Sequence, residues 1–152
     1  MAKALGNGMP VGACWARAEV AAAFVPGDHG STFGGQPLAA AAARAVLAVM
    51  EEIDAPACAR RAGAVLTEAL LALPTVADVR GFGLLLGAEL DGLDARQVAA
   101  DCLAAGLIIN GVTPTALRFA PSLLVTDDEI HEAVSILSIV LDAHAAARTE
   151  RP

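Results

Sequence analysis

Val76-Ala77-Asp78-Val79-Arg80-Gly81-Phe82-Gly83-Leu84-Leu85-Leu86-Gly87-Ala88-Glu89-Leu90 is the stretch on which the architecture of this 152-residue chain turns. Residues 76–80 and 84–90 read as two short strands, with Gly81-Phe82-Gly83 between them as the breaker. Downstream, Asp94 is a cap for a helix running to Ala105, and Gly106 is its left-handed stop. Leu107 to Asn110 and Leu117 to Ala120 read as two more strands. Thr126 with Glu129 has the spacing of a capping box and opens a last helix, Asp127 to about Ala146. Ile130, Val134, Leu137 and Leu141 form its apolar stripe. Upstream, a helix starts near Pro56 and runs to Leu73, where Pro74 ends it. Residues 55–147 therefore read as short strands covered by three helices, an α/β layer.

The head of the chain reads differently. Leu38, Ala42, Val46, Val49 and Ile53 follow spacings of four and three, which predicts a helix to about Ile53 with Pro37 at its first position. Before it, Pro26-Gly27-Asp28-His29-Gly30-Ser31-Thr32-Phe33-Gly34-Gly35-Gln36-Pro37 is a long Gly-rich loop of the kind that carries function in compact chains. Arg17 to Val25 permits a short helix, and Val11 to Trp15 is a candidate buried strand. Nothing nearby could pair with that strand, so a larger sheet is expected beyond these residues.

Composition removes several classes. A chain of this length can bury about 70% of the surface it exposes when unfolded, so it needs no disulfide or metal to build a core. The net charge of −7 argues against nucleic acid, whose phosphates require clustered Lys and Arg. No apolar run reaches the roughly 18 residues that cross a bilayer, and the N-terminus lacks a signal-like apolar segment. Cys14, Cys58 and Cys102 are odd in number and fit neither a disulfide framework nor a zinc site, which suggests a reducing, cytoplasmic setting. Thirty-six alanines and nine arginines among ten basic residues leave Lys3 as the only lysine.

Three features could carry chemistry. Lys3 is either a solvated terminal lysine or a covalent-catalysis lysine, whose amine forms a Schiff base with an aldehyde when its surroundings are dry. Gly30-Ser31-Thr32-Phe33-Gly34-Gly35, just ahead of a helix, is either a flexible capping loop or a cradle for phosphate. Its spacing is not that of a Walker loop or of Gly-x-Gly-x-x-Gly. Arg118, within Leu117-Arg118-Phe119-Ala120-Pro121, sits at a surface edge or in an ion pair, or else offers its planar fork to a substrate carboxylate. His131 and His144 read as solvated, and His29 sits in the Gly-rich loop.

Four segments carry a resemblance. Ala2-Lys3-Ala4-Leu5-Gly6-Asn7-Gly8-Met9-Pro10-Val11-Gly12-Ala13 resembles the cofactor-lysine segment of class III (ornithine-type) aminotransferases. His29-Gly30-Ser31-Thr32-Phe33-Gly34-Gly35-Gln36-Pro37 resembles the loop that follows it. Val79-Arg80-Gly81-Phe82-Gly83-Leu84-Leu85-Leu86-Gly87 and Leu117-Arg118-Phe119-Ala120-Pro121 resemble two later stretches, in the family's order. Gln36 departs from the family's common Asn.

The resemblance implies an α/β chain comprising the C-terminal small domain and the end of the large domain of a fold-type I, pyridoxal-phosphate-dependent transferase. Residues 1–37 would be the large-domain remnant, 38–54 a connecting helix, 55–147 the small domain and 148–152 a frayed tail. It implies pyridoxal 5'-phosphate (PLP) on Lys3. Thr32 would reach the partner's cofactor phosphate across a homodimer interface, with Ser31 near the amino donor and Arg118 near a substrate carboxylate. The implied reaction moves an amino group from N2-acetylornithine to 2-oxoglutarate, a step in arginine biosynthesis. Ornithine, 4-aminobutyrate or succinyl-diaminopimelate are alternative donors, and a non-catalytic α/β module for binding or dimerisation is the alternative outside enzymes. The family's Gly-rich phosphate cup, ring-stacking aromatic residue and aspartate-bearing strand have no counterpart in these residues. The expectation is therefore a C-terminal part with little activity alone.

Overall fold

A computed structural model of the chain describes residues 1–149. It divides into two units, Met1–Asp54 and the residues from Ala55 onward.

The first unit has a 3-10 turn, Lys3–Gly6, a one-turn helix α1, Ala18–Ala21, and a long helix α2, Pro37–Glu52. Pro37 occupies the first turn of α2, where its missing N–H costs nothing. The predicted stripe is rotated: Ala39 is the buried residue of α2 and Ala42, Val46 and Met50 are half-covered, whereas Leu38 and Val49 face solvent. The strand expected over Val11–Trp15 does not form. Among the described residues its one backbone partner is Met1, whose ammonium donates to the Ala13 carbonyl at 2.6 Å while Ala13 N–H donates to the Met1 carbonyl at 2.8 Å. One residue pair is not a ladder, and a strand without neighbours has no independent stability. Among the described residues this unit buries only Gly6 and Ala39.

The second unit holds the core. Helix α3, Ala55–Leu71, leads into strands β1, Val76–Phe82, and β2, Leu85–Leu90. Helix α4, Ala95–Ala104, and strands β3, Asn110–Gly111, and β4, Ala116–Phe119, follow, before helix α5, Asp127–Thr149. The sheet is antiparallel throughout, in the order β1-β2-β4-β3. Leu86, Ala88 and Leu90 alternate inward along β2, and with Leu117 and Phe119 of β4 they meet Leu66, Leu70, Val98, Leu137 and Leu141 from the helices. Leu85 and Arg118 lie on the uncovered side.

Helix ends follow their caps. The Asp94 carboxylate accepts from the backbone N–H of Arg96 and Gln97, and Thr126 and Glu129 exchange the reciprocal bonds of a capping box. Three expectations shift. The β1–β2 loop is Gly83-Leu84, not Gly81-Phe82-Gly83: Phe82 pairs with Leu85, and Gly83 supplies the positive φ, 53°, that a two-residue hairpin loop requires. The third strand shrinks to Asn110–Gly111. Helix α5 runs past Ala146, because the Arg148 guanidinium donates to the Asp91 carbonyl at 2.9 Å. Of the tail predicted to fray, Arg148 and Thr149 are helical, and residues 150–152 lie outside the described residues. By length and composition α5 could cross a bilayer; here its buried Ile130, Leu137, Val140 and Leu141 belong to the core.

Candidate functional site

Lys3 opens its 3-10 turn with φ of 58°, the left-handed region that a lysine rarely adopts, at a cost of about 1–3 kcal/mol. The turn is held by Leu5 N–H to Ala2 carbonyl, 3.3 Å, and Asn7 N–H to Ala4 carbonyl, 3.0 Å, and it packs against α2. Gly6 permits the tight return of the chain, since a Cβ there would fall 2.7 Å from Val11 Cγ1. Lys3 is exposed, and no hydrogen bond or ion pair engages its amine among the described residues.

Ser31-Thr32-Phe33-Gly34 makes a turn closed by Gly34 N–H to the Ser31 carbonyl, 3.4 Å, and Gln36 then leads into α2. Ser31, Phe33, Gly34, Gly35 and Gln36 line one side of a cavity of about 400 Å³, with Pro10, Val11 and Gly12 across from them. The Ser31 hydroxyl and the unpaired N–H groups at the start of a 16-residue helix are the donors an anion takes. Of the residues predicted for this site, Ser31 lines the cavity; Lys3 and Thr32 do not.

In the second unit, Arg118 sits on β4 with Gly87 of β2 as its cross-strand neighbour on one side and Asn110 of β3 on the other. Its Nη2 donates to Asn110 Oδ1 at 2.8 Å. A cavity of about 240 Å³ beside it is lined by Leu107, Ile108, Phe119 and Pro121, among others. Arg118 is thus on the exposed face of an interior strand, and among the described residues it is bonded to an amide and not to a carboxylate.

Three arrangements escaped the reading of the sequence. Arg80 pairs with Glu89 at 2.9 Å and with Asp78 at 3.6 Å. The Thr115 hydroxyl, first, and Arg80, second, hold the Glu89 carboxyl below the usual carboxylate range. Their signal was in the hairpin register, which puts Arg80 and Glu89 on adjacent strands. His144 is not simply solvated: its Nε2 meets Asp101 Oδ2 at 2.7 Å across α4 and α5 and lowers that carboxyl. Asn110 lay inside a predicted strand with nothing local to single it out.

Comparison with known proteins gives these groups a context. The family model for aminotransferase class-III matches residues 1–141. Acetylornithine aminotransferase of Corynebacterium efficiens is 49% identical over 141 residues, covering 93% of this chain and 35% of that protein. The enzyme of the same name from Bacillus subtilis is 44% identical, covering 96% and 38%. Among solved structures, ornithine aminotransferase of Toxoplasma gondii superposes with a TM-score of 0.82 at 31% identity, over 98% of this chain and 37% of that one. N-acetylornithine aminotransferase of Stenotrophomonas maltophilia gives 0.79 at 33%, over 95% and 39%. The chain therefore spans little more than a third of the length of the relatives it matches. The Toxoplasma gondii enzyme holds PLP at partial occupancy at its active site. By type, an amine suits that cofactor's aldehyde and a hydroxyl with backbone N–H groups suits its phosphate, but Lys3 does not line the cavity that Ser31 lines. The family match over residues 1–141, together with the identity to curated relatives and the superposition, shows that the chain belongs to the class III aminotransferases.

Proposed function

We propose that this chain is the cofactor-lysine-bearing C-terminal part of an acetylornithine aminotransferase, acting in the cytoplasm as part of a homodimer. The 49% identity to the Corynebacterium efficiens enzyme across 141 residues is the observation that carries the reading. Residues 1–37 are then the end of the PLP-binding large domain, 38–54 a connecting helix and 55–147 the small domain. When bound, PLP would supply the electron sink that lets an amine-bearing carbon lose its proton and exchange its nitrogen.

The chain's own residues do the rest. Lys3 Nζ would hold the cofactor covalently and, as a free amine, would take the proton from the carbon that bears the donor's amine. Its neighbours Ala2, Ala4 and Gly6 carry no charge, so they set no counter-ion against the amine. Ser31 lies near the donor, and Thr32 binds phosphate across the dimer. Arg118 holds a carboxylate of the donor or of 2-oxoglutarate. The superposition on the Toxoplasma gondii enzyme supports ornithine as a second donor choice. The self-contained core of the second unit supports a non-catalytic module as the reading outside enzymes.

Borohydride reduction of the purified chain with PLP, followed by peptide mass analysis, tests this. The only other amine in the protein is its N-terminus, so the label is easily located. Label on Lys3, absent in Lys3→Ala, is expected, with no turnover of N2-acetylornithine and 2-oxoglutarate by this chain alone. Label confined to the N-terminus overturns the role of Lys3, and rapid turnover overturns the fragment reading.

A further inference from the structure

We propose that Asn110 is a positioning residue for Arg118, fixing its guanidinium without neutralising it, so that the open face of the sheet keeps a positive charge available for a carboxylate. The inference rests on the carboxylate-binding reading of Arg118 given above. The register sets Arg80, Gly87, Arg118 and Asn110 in one row across β1, β2, β4 and β3. Cross-strand partners project to the same side of a sheet, so this row presents two guanidiniums with a bare glycine between them.

The two arginines are held in opposite ways. Arg80 is matched by the carboxylates of Glu89 and Asp78 and has little charge left to offer. Arg118 is bonded to a side-chain amide, a neutral acceptor that orients one N–H and leaves the remaining donors of the fork unspent. Space beside it is open: a Cβ at Gly87 would meet nothing closer than 3.8 Å. The anchor itself is rigid. A Cβ on Gly111 would fall 2.6 Å from the Ala95 carbonyl oxygen, so β3 is seated directly against the start of α4, and Val112 N–H closes onto the Ala116 carbonyl at 2.9 Å. An aspartate at 110 would keep this geometry while cancelling the charge.

The test titrates the full 152-residue chain, ¹⁵N-labelled at arginine, with 2-oxoglutarate, following the Arg118 guanidinium resonance assigned through Arg118→Lys. Glutaramide, the uncharged diamide, is the control. Asn110→Ala is expected to weaken binding about threefold and Asn110→Asp about tenfold or more, the isosteric change being the worse because it supplies a competing charge-assisted bond. A purely structural asparagine predicts the opposite order. The thermal midpoint of Asn110→Asp should not fall, which separates lost binding from lost folding. Wild-type affinity in both variants, or tighter binding by Asn110→Asp, overturns the inference alone. No response of Arg118 to 2-oxoglutarate in the unmodified chain overturns the carboxylate reading, and the inference with it.

Discussion

A Cβ on Gly63 would lie 2.2 Å from the carbonyl oxygen of Gly83, so α3 rests directly on the turn of the β1–β2 hairpin. Backbone cannot yield to a methyl group at that distance without separating the helix from the sheet. Gly63→Ala is therefore expected to destabilise the second unit by about 1–3 kcal/mol, read as a lower urea midpoint by circular dichroism. An unchanged midpoint would show that the helix can lift off at no cost.

The start of α5 offers a milder case. The Thr126 hydroxyl accepts from Glu129 N–H at 3.3 Å while the Glu129 carboxylate accepts from Thr126 N–H at 2.8 Å. Thr126→Ala should cost about 1 kcal/mol, and Glu129→Gln, which keeps an acceptor, less. Chemical denaturation of the two variants side by side ranks them.

Stability should fall in acid through Glu89. Its folded-state pKa is depressed, first by the Thr115 hydroxyl and then by Arg80. Its contribution is present in full above the unfolded value of about 4.3 and is lost as pH drops through the folded one. Glu89→Gln should flatten that acid limb while leaving a protein less stable at pH 7. If the variant's unfolding midpoint follows pH as steeply as the parent's, other carboxylates dominate.

Trp15 is 80% exposed and is the only tryptophan. Its emission should be that of a solvated indole and should be quenched efficiently by iodide. Limited proteolysis should cut within residues 1–37 before it reaches Ala55 onward. A blue-shifted, iodide-resistant emission would mean that the head is covered in solution.

How far these features could be read in advance depended on whether they were local. The caps at Asp94 and Thr126, the helix from Pro37 and the alternation of Leu86, Ala88 and Leu90 are set by residues within a few positions of each other, and the sequence displays them. The hairpin loop was misplaced by two residues because Gly81 and Gly83 are both breakers by type. Only the pairing of Phe82 with Leu85 reveals which of them turns the chain. Asn110 and His144 were illegible for a stronger reason. Their partners, Arg118 and Asp101, are 8 and 43 residues away and meet them only through strand pairing or helix packing. Lys3, by contrast, could be singled out as the only lysine and by its likeness to a known segment, while its left-handed backbone could not.

The near absence of buried residues in the first unit changes what a mutational map of this chain would record. Leu38 and Val49 on α2, at 68% and 52% exposure, would score as tolerant in any screen for stability, whereas Leu70 and Leu137, fully buried, would score as intolerant. Such a map measures only the contacts this chain makes with itself. A constraint placed on these exposed apolar residues by anything outside the chain would leave a folding assay silent and would show only in sequence variation across relatives.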